Sequence, residues 1–157
     1  MSDDLAPAQA YAMKLLGFRS HSIAEMQQKM ARKKFSHESI KEVIAGLRNQ
    51  GYLNDHRFTQ ELIRSLIRRK PVGRFYLMAK LKDHGIPEEI ARVGLANEFP
   101  LEKEKELAKQ AAERKMEEFE VKLSRISYNQ RAKLSRFLNS RGFSSEIIGD
   151  TLDILKG

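Results

Sequence analysis

A short pattern that occurs three times constrains this chain more than any other feature. Met30 precedes Lys34-Phe35-Ser36 and Ile40, Leu81 precedes Gly85-Ile86-Pro87 and Ile90, and Leu138 precedes Gly142-Phe143-Ser144 and Ile147. In each copy an apolar residue stands five positions before Phe35, Ile86 or Phe143, a cap-compatible residue follows at once, and a short amphipathic segment comes next. The copies are offset by 51 and 57 residues in a chain of 157, which divides it into three units of similar size. The expected division is 1–54, 55–100 and 101–157, each a three-helix repeat. A unit of about fifty residues buries only a modest core, so neighbours should stack or share helices. Helices of ~12–15 residues rise 1.5 Å per residue, so each unit should be ~20 Å across and the whole elongated, roughly 60 Å long. Lys34 stands where the other copies have glycine, so the first join must cap differently or carry strain.

The apolar spacing is helical almost throughout, which predicts an all-α fold of nine helices. Tyr11, Leu15 and Phe18 form one stripe, Ile23, Met26 and Met30 a second, and Ile40, Val43, Ile44 and Leu47 a third that ends at Gly51. Asn54 reads as the N-cap of the next helix, with Leu53 and Phe58 at the spacing of a hydrophobic staple. Phe75, Met78 and Leu81 follow, then Pro87 as the first residue of a helix carrying Ile90 and Val93. Beyond Phe99-Pro100 a charge-laced helix has a thin apolar side of Ala108, Ala111, Ala112 and Phe119. Leu134, Phe137 and Leu138, then Ile147, Ile148, Thr151, Leu152 and Leu155, mark the last two.

Much chemistry is missing from the sequence. There is no cysteine, hence no disulfide framework, thiolate nucleophile or Cys-ligated metal. There is no P-loop, no G-x-S-x-G and no His-Glu-x-x-His. His21, His37, His56 and His84 fall near helix boundaries without carboxylates at ligand spacing, and read as capping or surface groups. Glu102, Glu104, Glu106, Glu117, Glu118 and Glu120 alternate with Lys103, Lys105, Lys109 and Lys122, the pattern of a solvated helix face. No enzyme activity, metal or cofactor is expected. No apolar run approaches the ~18–20 residues of a membrane span. The start, Met1-Ser2-Asp3-Asp4, lacks the layout of a signal peptide, so a soluble cytoplasmic protein is expected.

The charge points to a polyanion. The net charge is +8, but residues 57–82 carry +7, residues 121–141 carry +6 and residues 83–120 carry −5. The densest cluster is Arg64, Arg68, Arg69, Lys70 and Arg74, more cations than a helix dipole needs. Arg131, Lys133, Arg136 and Arg141 form a second cluster, and Arg32, Lys33 and Lys34 a shorter third. Three-helix units with a short second turn share the layout of helix-turn-helix modules. The third helices, however, begin with acids such as Glu88, Glu89 and Glu146, which would face phosphate badly. Phosphate contacts with little base preference, on single- or double-stranded DNA, fit better.

Gln50-Gly51-Tyr52-Leu53-Asn54-Asp55-His56-Arg57-Phe58 resembles the Gly-Tyr-Leu-(Asn/Asp)-Asp-x-Arg-Phe signature of RecX-type regulators of the RecA recombinase. The likeness extends upstream through Ala10-Tyr11-Ala12, Leu15-Leu16, Ser20-His21-Ser22 and Glu25-Met26. Downstream it runs through Gly73 to Leu81, Gly85-Ile86 and Arg136-Phe137-Leu138 to Arg141-Gly142-Phe143. Met26 and Met30 replace the family's usual leucines, and Lys34 a common glycine. The resemblance implies tandem three-helix repeats in an elongated, curved arrangement. It also implies a monomer that binds RecA and its nucleoprotein filament along the filament groove and touches DNA. Such a protein depresses RecA's ATPase, strand-exchange and co-protease activities, and so modulates homologous recombination, DNA repair and the SOS response without being an enzyme. The alternative is a helical repeat protein that binds nucleic acid without sequence preference and independently of RecA. A third reading is a protein-binding adaptor whose charge serves only solubility.

Overall fold

The computed structural model describes residues 3–119 and 126–155. Met1, Ser2, Glu120, Lys122 and the side chain of Leu155 lie outside the described residues. Among the described residues there are nine α-helices: α1 (Leu5–Phe18), α2 (Ile23–Arg32), α3 (His37–Asn49), α4 (Asp55–Arg69), α5 (Arg74–Asp83), α6 (Glu88–Glu98), α7 (Leu101–Phe119), α8 (Tyr128–Ser140) and α9 (Ser145–Leu155).

The threefold sequence pattern is one kind of helix ending repeated. After α5, Gly85 takes φ 75°, its N–H donates to the Lys82 carbonyl at 2.9 Å, and the Ile86 N–H donates to the Leu81 carbonyl at 3.0 Å. After α8, Gly142 takes φ 89° and the Phe143 N–H reaches the Leu138 carbonyl at 3.2 Å. These are Schellman caps, and the five-residue spacing brings together the two apolar residues that accompany such a cap. After α2 the same bonds form around Lys34, with Phe35 N–H on the Met30 carbonyl at 3.3 Å. Lys34 therefore takes the left-handed conformation itself, at φ 65°, at a cost of about 1–2 kcal/mol.

The next helices start where the sequence says. Ser36 Oγ accepts from the Ser39 N–H, Ser144 Oγ from the Ile147 N–H and Asn54 Oδ1 from the Arg57 N–H at 3.1 Å. Leu53 and Phe58 are both buried beside the Asn54 cap. The start of α6 differs by one residue: Pro87, expected as its first residue, stands just before it, and its carbonyl accepts the first bond of that helix.

The chain divides into two compact units, Met1–Glu61 with Leu81–Ala91, and Leu62–Lys80 with Arg92–Gly157. In the first, Ala8 and Ala12 of α1 lie fully buried against α3, over Met26, Met30, Val43, Ile44, Leu47 and Leu53. Two small residues on one face let α1 and α3 approach closely, so Tyr11 and Leu15 are only half-buried and Phe18 is 76% exposed. In the second unit α7 packs on both α8 and α9 through Leu107, Ala108, Ala111, Ala112 and Met116, facing Leu134, Leu138, Phe143, Ile147, Ile148 and Leu152. The buried face of α7 is thus wider than four residues, and Phe119 sits at its margin. In α5 the buried stripe is Leu77 and Leu81, while Met78 is half-buried and Phe75 is 59% exposed. In α6, Ala91 and Gly94 face inward and Val93 is exposed.

Candidate nucleic-acid interface

Each unit contains one joint of the same design, built from the left-handed turn of one repeat and the start of the second helix of the repeat before it. In the first unit the Gly85 turn meets the start of α2. Ser22 Oγ donates to the His84 carbonyl, and the Ile23 N–H donates to the buried Asp55 Oδ1 at 3.0 Å. A Cβ on Gly85 would stand 2.5 Å from the Ala24 methyl. In the second unit the Gly142 turn meets the start of α5. The Gly73 N–H donates to the Arg141 carbonyl at 2.9 Å and the Phe75 N–H to the Gly142 carbonyl at 3.0 Å. The Arg74 N–H donates to Glu104 Oε2 at 3.0 Å. A Cβ on Gly142 would stand 2.3 Å from the Tyr76 nitrogen, and one on Gly73 2.4 Å from the Gly142 oxygen. Glycine is needed at 85 and 142 for contact as well as for φ.

The second joint ties the two long basic clusters together. Arg68 and Arg69 end α4 and Lys70 follows them, and the chain just beyond is hydrogen-bonded to the loop that begins at Arg141. Arg68, Arg69, Lys133 and Arg136 are exposed, with no hydrogen bond or ion pair among the described residues. Lys70 Nζ lies 5.1 Å from the Tyr76 ring centroid and the Arg141 guanidinium 5.1 Å from that of Phe137, contacts that leave N–H donors available. The third cluster is in the other unit: Arg32, Lys33 and Lys34 are exposed at the end of α2, Lys33 over Tyr11 at 5.5 Å.

Three residues expected to meet an anion are bonded within the protein instead. Arg64 grips Glu98 with two bonds, Nε to Oε2 at 2.8 Å and Nη2 to Oε1 at 2.9 Å, which hold the Glu98 carboxyl below its ordinary pKa. Arg74 Nε donates to Glu104 Oε1 at 2.8 Å. Arg131 lies 3.5 Å from Asp153. Glu104 is the chief departure from the sequence reading: its side chain is fully buried rather than solvated, held by the Arg74 N–H and guanidinium. Its spacing from Leu107, Ala108 and Ala111 was the available signal, since those residues share one helix face with it. The sequence reading took Phe75 for a core residue and Gly73 for part of a family-like stretch, and gave neither a place in a site.

His21 is not a surface group either. It is buried, and Lys29 Nζ, which has no acceptor capacity, donates to Nε2 at 2.8 Å. The ring proton therefore sits on Nδ1, which donates to the Arg19 carbonyl at 3.0 Å. Burial holds the imidazole below its ordinary pKa. Beside it Glu25 closes a capping box with Ser22, accepts from Arg19 at 2.9 Å and lies 3.3 Å from His84. Desolvation would raise the Glu25 pKa, but Arg19 and the Ser22 N–H outweigh it and bring it from 4.5 to about 2.

Among the described residues no group of three or more His, Cys, Asp or Glu is placed to hold a metal ion, and no helix is long and apolar enough to cross a membrane.

Two family models match the chain: the first three-helix domain of RecX at residues 8–47 and the second at residues 54–95. The regulatory protein RecX of Pelodictyon phaeoclathratiforme is 40% identical over 157 residues, 99% of this chain and 93% of that protein. That of Chlorobium limicola is 38% identical over 145 residues, 92% of this chain and 87% of its own. The crystal structure of RecX from Lactobacillus salivarius shares the fold, with a TM-score of 0.88 at 23% identity over 98% of this chain and 97% of that one. On the strength of both matched domains and of relatives aligned along nearly its whole length, this chain belongs to the RecX family of regulatory proteins.

Proposed function

We propose that this protein binds RecA and the RecA–DNA filament in the cytoplasm as a monomer. It inhibits RecA's ATPase, strand-exchange and co-protease activities, and thereby restrains recombination, repair and the SOS response without itself being an enzyme. Full-length similarity to RecX regulatory proteins carries this reading. The cations support it: exposed Arg68, Arg69, Lys70, Lys133 and Arg136 and half-buried Arg141 lie in one compact unit, and exposed Arg32, Lys33 and Lys34 in the other. Two basic regions on one chain give bivalent attachment, in which the second contact forms at high effective concentration. Arg64, Arg74 and Arg131 act indirectly, by fixing the helices that carry the others.

The test is RecA's DNA-dependent ATPase titrated with the pure protein. Inhibition is expected well below one molecule per RecA subunit; its absence there would sink filament binding. The exposed cations also favour a second reading, DNA binding without RecA. Neutralising about six phosphates gives a single-strand log–log salt slope near −4. Such a slope combined with no effect on RecA would promote this second reading. Charge reversal at Arg68 and Arg69 separates both readings from a protein-only adaptor, which predicts no loss of DNA association. Arg74 is unsuitable for that test, because reversing it would strip the buried Glu104 of its partner.

A further inference from the structure

We infer that a groove between α1 and α3 is the docking site for an amphipathic helix of a protein partner, which lays apolar side chains over Gly46 and brings a lysine or arginine to Glu42. The inference rests on the RecA-binding part of the reading above and gives that contact a place on the chain. The groove holds about 420 Å³ and is lined by Met13 of α1, by Glu42, Val43, Gly46 and Leu47 of α3, and by Tyr52 beyond it. Val43 and Leu47 are buried, while Met13 is 45% and Tyr52 52% exposed. The Tyr52 N–H donates to the Leu47 carbonyl at 2.9 Å, which fixes the tyrosine backbone at the end of α3. Glu42 and Gly46, and likewise Val43 and Leu47, stand four residues apart, the row spacing into which a further helix packs.

Gly46 lies in the interior of α3, where glycine costs helix stability relative to alanine. Its φ is not left-handed, and a Cβ there would meet nothing within 4 Å, so neither the backbone nor the packing of this chain calls for glycine. Gly17 and Gly149 share that freedom but do not line the groove. Bare backbone at this point lets a partner helix approach closely. The charge selects the partner. The compact unit that holds the groove carries ten basic and ten acidic residues and the other nineteen and eleven, so the whole net charge of +8 belongs to the other. Glu42 is exposed and has no ion pair among the described residues, and no other charged side chain there lines the groove. A lone carboxylate on a neutral unit repels phosphate and attracts a cation, which favours a protein surface over a nucleic acid. Tyrosine and methionine open to solvent over an apolar floor match the side chains enriched at protein interfaces.

The test is the midpoint of RecA ATPase inhibition, beside fluorescence anisotropy with a labelled oligo-dT in the absence of RecA at the same salt. Gly46→Leu, which fills the groove, and Tyr52→Ala should each raise the inhibition midpoint by about tenfold or more and leave oligo-dT affinity within about twofold. Glu42→Arg should raise the midpoint by about fivefold. Gly46→Ala should raise the melting temperature by about 2–4 °C, since it improves the helix and touches nothing. An unshifted midpoint in Gly46→Leu, or in Tyr52→Ala if the leucine variant does not fold, would overturn the inference and leave the RecA reading intact. Failure of the wild-type protein to inhibit RecA at any concentration would overturn the RecA reading itself. A parallel loss of oligo-dT affinity in Gly46→Leu would make the groove a nucleic-acid contact and overturn the inference. A lower melting temperature in Gly46→Ala would give the glycine a structural reason and likewise overturn it.

Discussion

Substituting alanine at Gly142 and at Gly51 separates the energy of the joint from that of the turn. Both glycines adopt left-handed conformations, φ 89° and 82°, in Schellman caps. A Cβ at Gly51 would meet nothing within 4 Å, so Gly51→Ala should cost only the left-handed penalty, about 1 kcal/mol. At Gly142 the new methyl would stand 2.3 Å from the Tyr76 nitrogen and 2.6 Å from its Cβ. The backbone of α5 cannot retreat without lengthening the Gly73–Arg141 and Phe75–Gly142 bonds. Each is worth about 0.5–1.5 kcal/mol net, so Gly142→Ala should cost roughly 2–4 kcal/mol in total. The assay is urea unfolding followed by far-ultraviolet circular dichroism, with the two variants and the wild type side by side. If Gly142→Ala destabilises no more than Gly51→Ala, to within about 0.5 kcal/mol, the joint holds nothing and the contact reasoning fails.

Three further outcomes follow from the same geometry. The atom in the way at Gly85 is the Ala24 methyl, so Gly85→Ala and Ala24→Gly should be coupled by about 1 kcal/mol or more in a double-mutant unfolding cycle; strict additivity would contradict the packing. Lys34→Gly should relieve the left-handed strain at φ 65° and raise the melting temperature by about 2–4 °C, offset in part by the greater freedom of glycine in the unfolded chain; a lower melting temperature would show that the lysine side chain stabilises the turn. Because the folded pKa of Glu25 is about 2 against 4.5, its contribution is full above pH 4.5 and disappears as pH falls through 2. After allowance for solvent screening around the half-exposed Arg19, that contribution is about 1–2 kcal/mol. His21, also lowered, adds stability above its unfolded pKa of 6.5 that is lost as the solution is acidified. Glu25→Gln should therefore flatten the acid limb of a stability–pH curve between about pH 4.5 and 2, and an unchanged limb would remove Glu25 from the explanation.

What could be read from the sequence was local. A Schellman cap relates residues five apart, an N-cap residues three apart, and a helical stripe residues three or four apart, so the endings at Lys34, Gly85 and Gly142, the caps at Ser36 and Asn54 and the all-α class follow from neighbours along the chain. The family signature around Gly51–Phe58 is local as well. Tertiary structure decided everything that needed a partner distant in sequence. Phe75-Met78-Leu81 and Leu77-Leu81 are equally good helical stripes, and only the packing of α5 selects the second, leaving the Phe75 ring exposed at the joint. Charge counts cannot show that Glu98 and Glu104, 34 and 30 residues away, hold Arg64 and Arg74, because a side chain's partner is set by which helix faces cross. Nor can they show that the loop after Lys70 and the loop at Arg141 share two hydrogen bonds through a pair of glycines. Composition determined that the chain carries cations in excess; the burial of Glu104 and the closeness of Gly73 to Gly142 decided which of them remain free to bind.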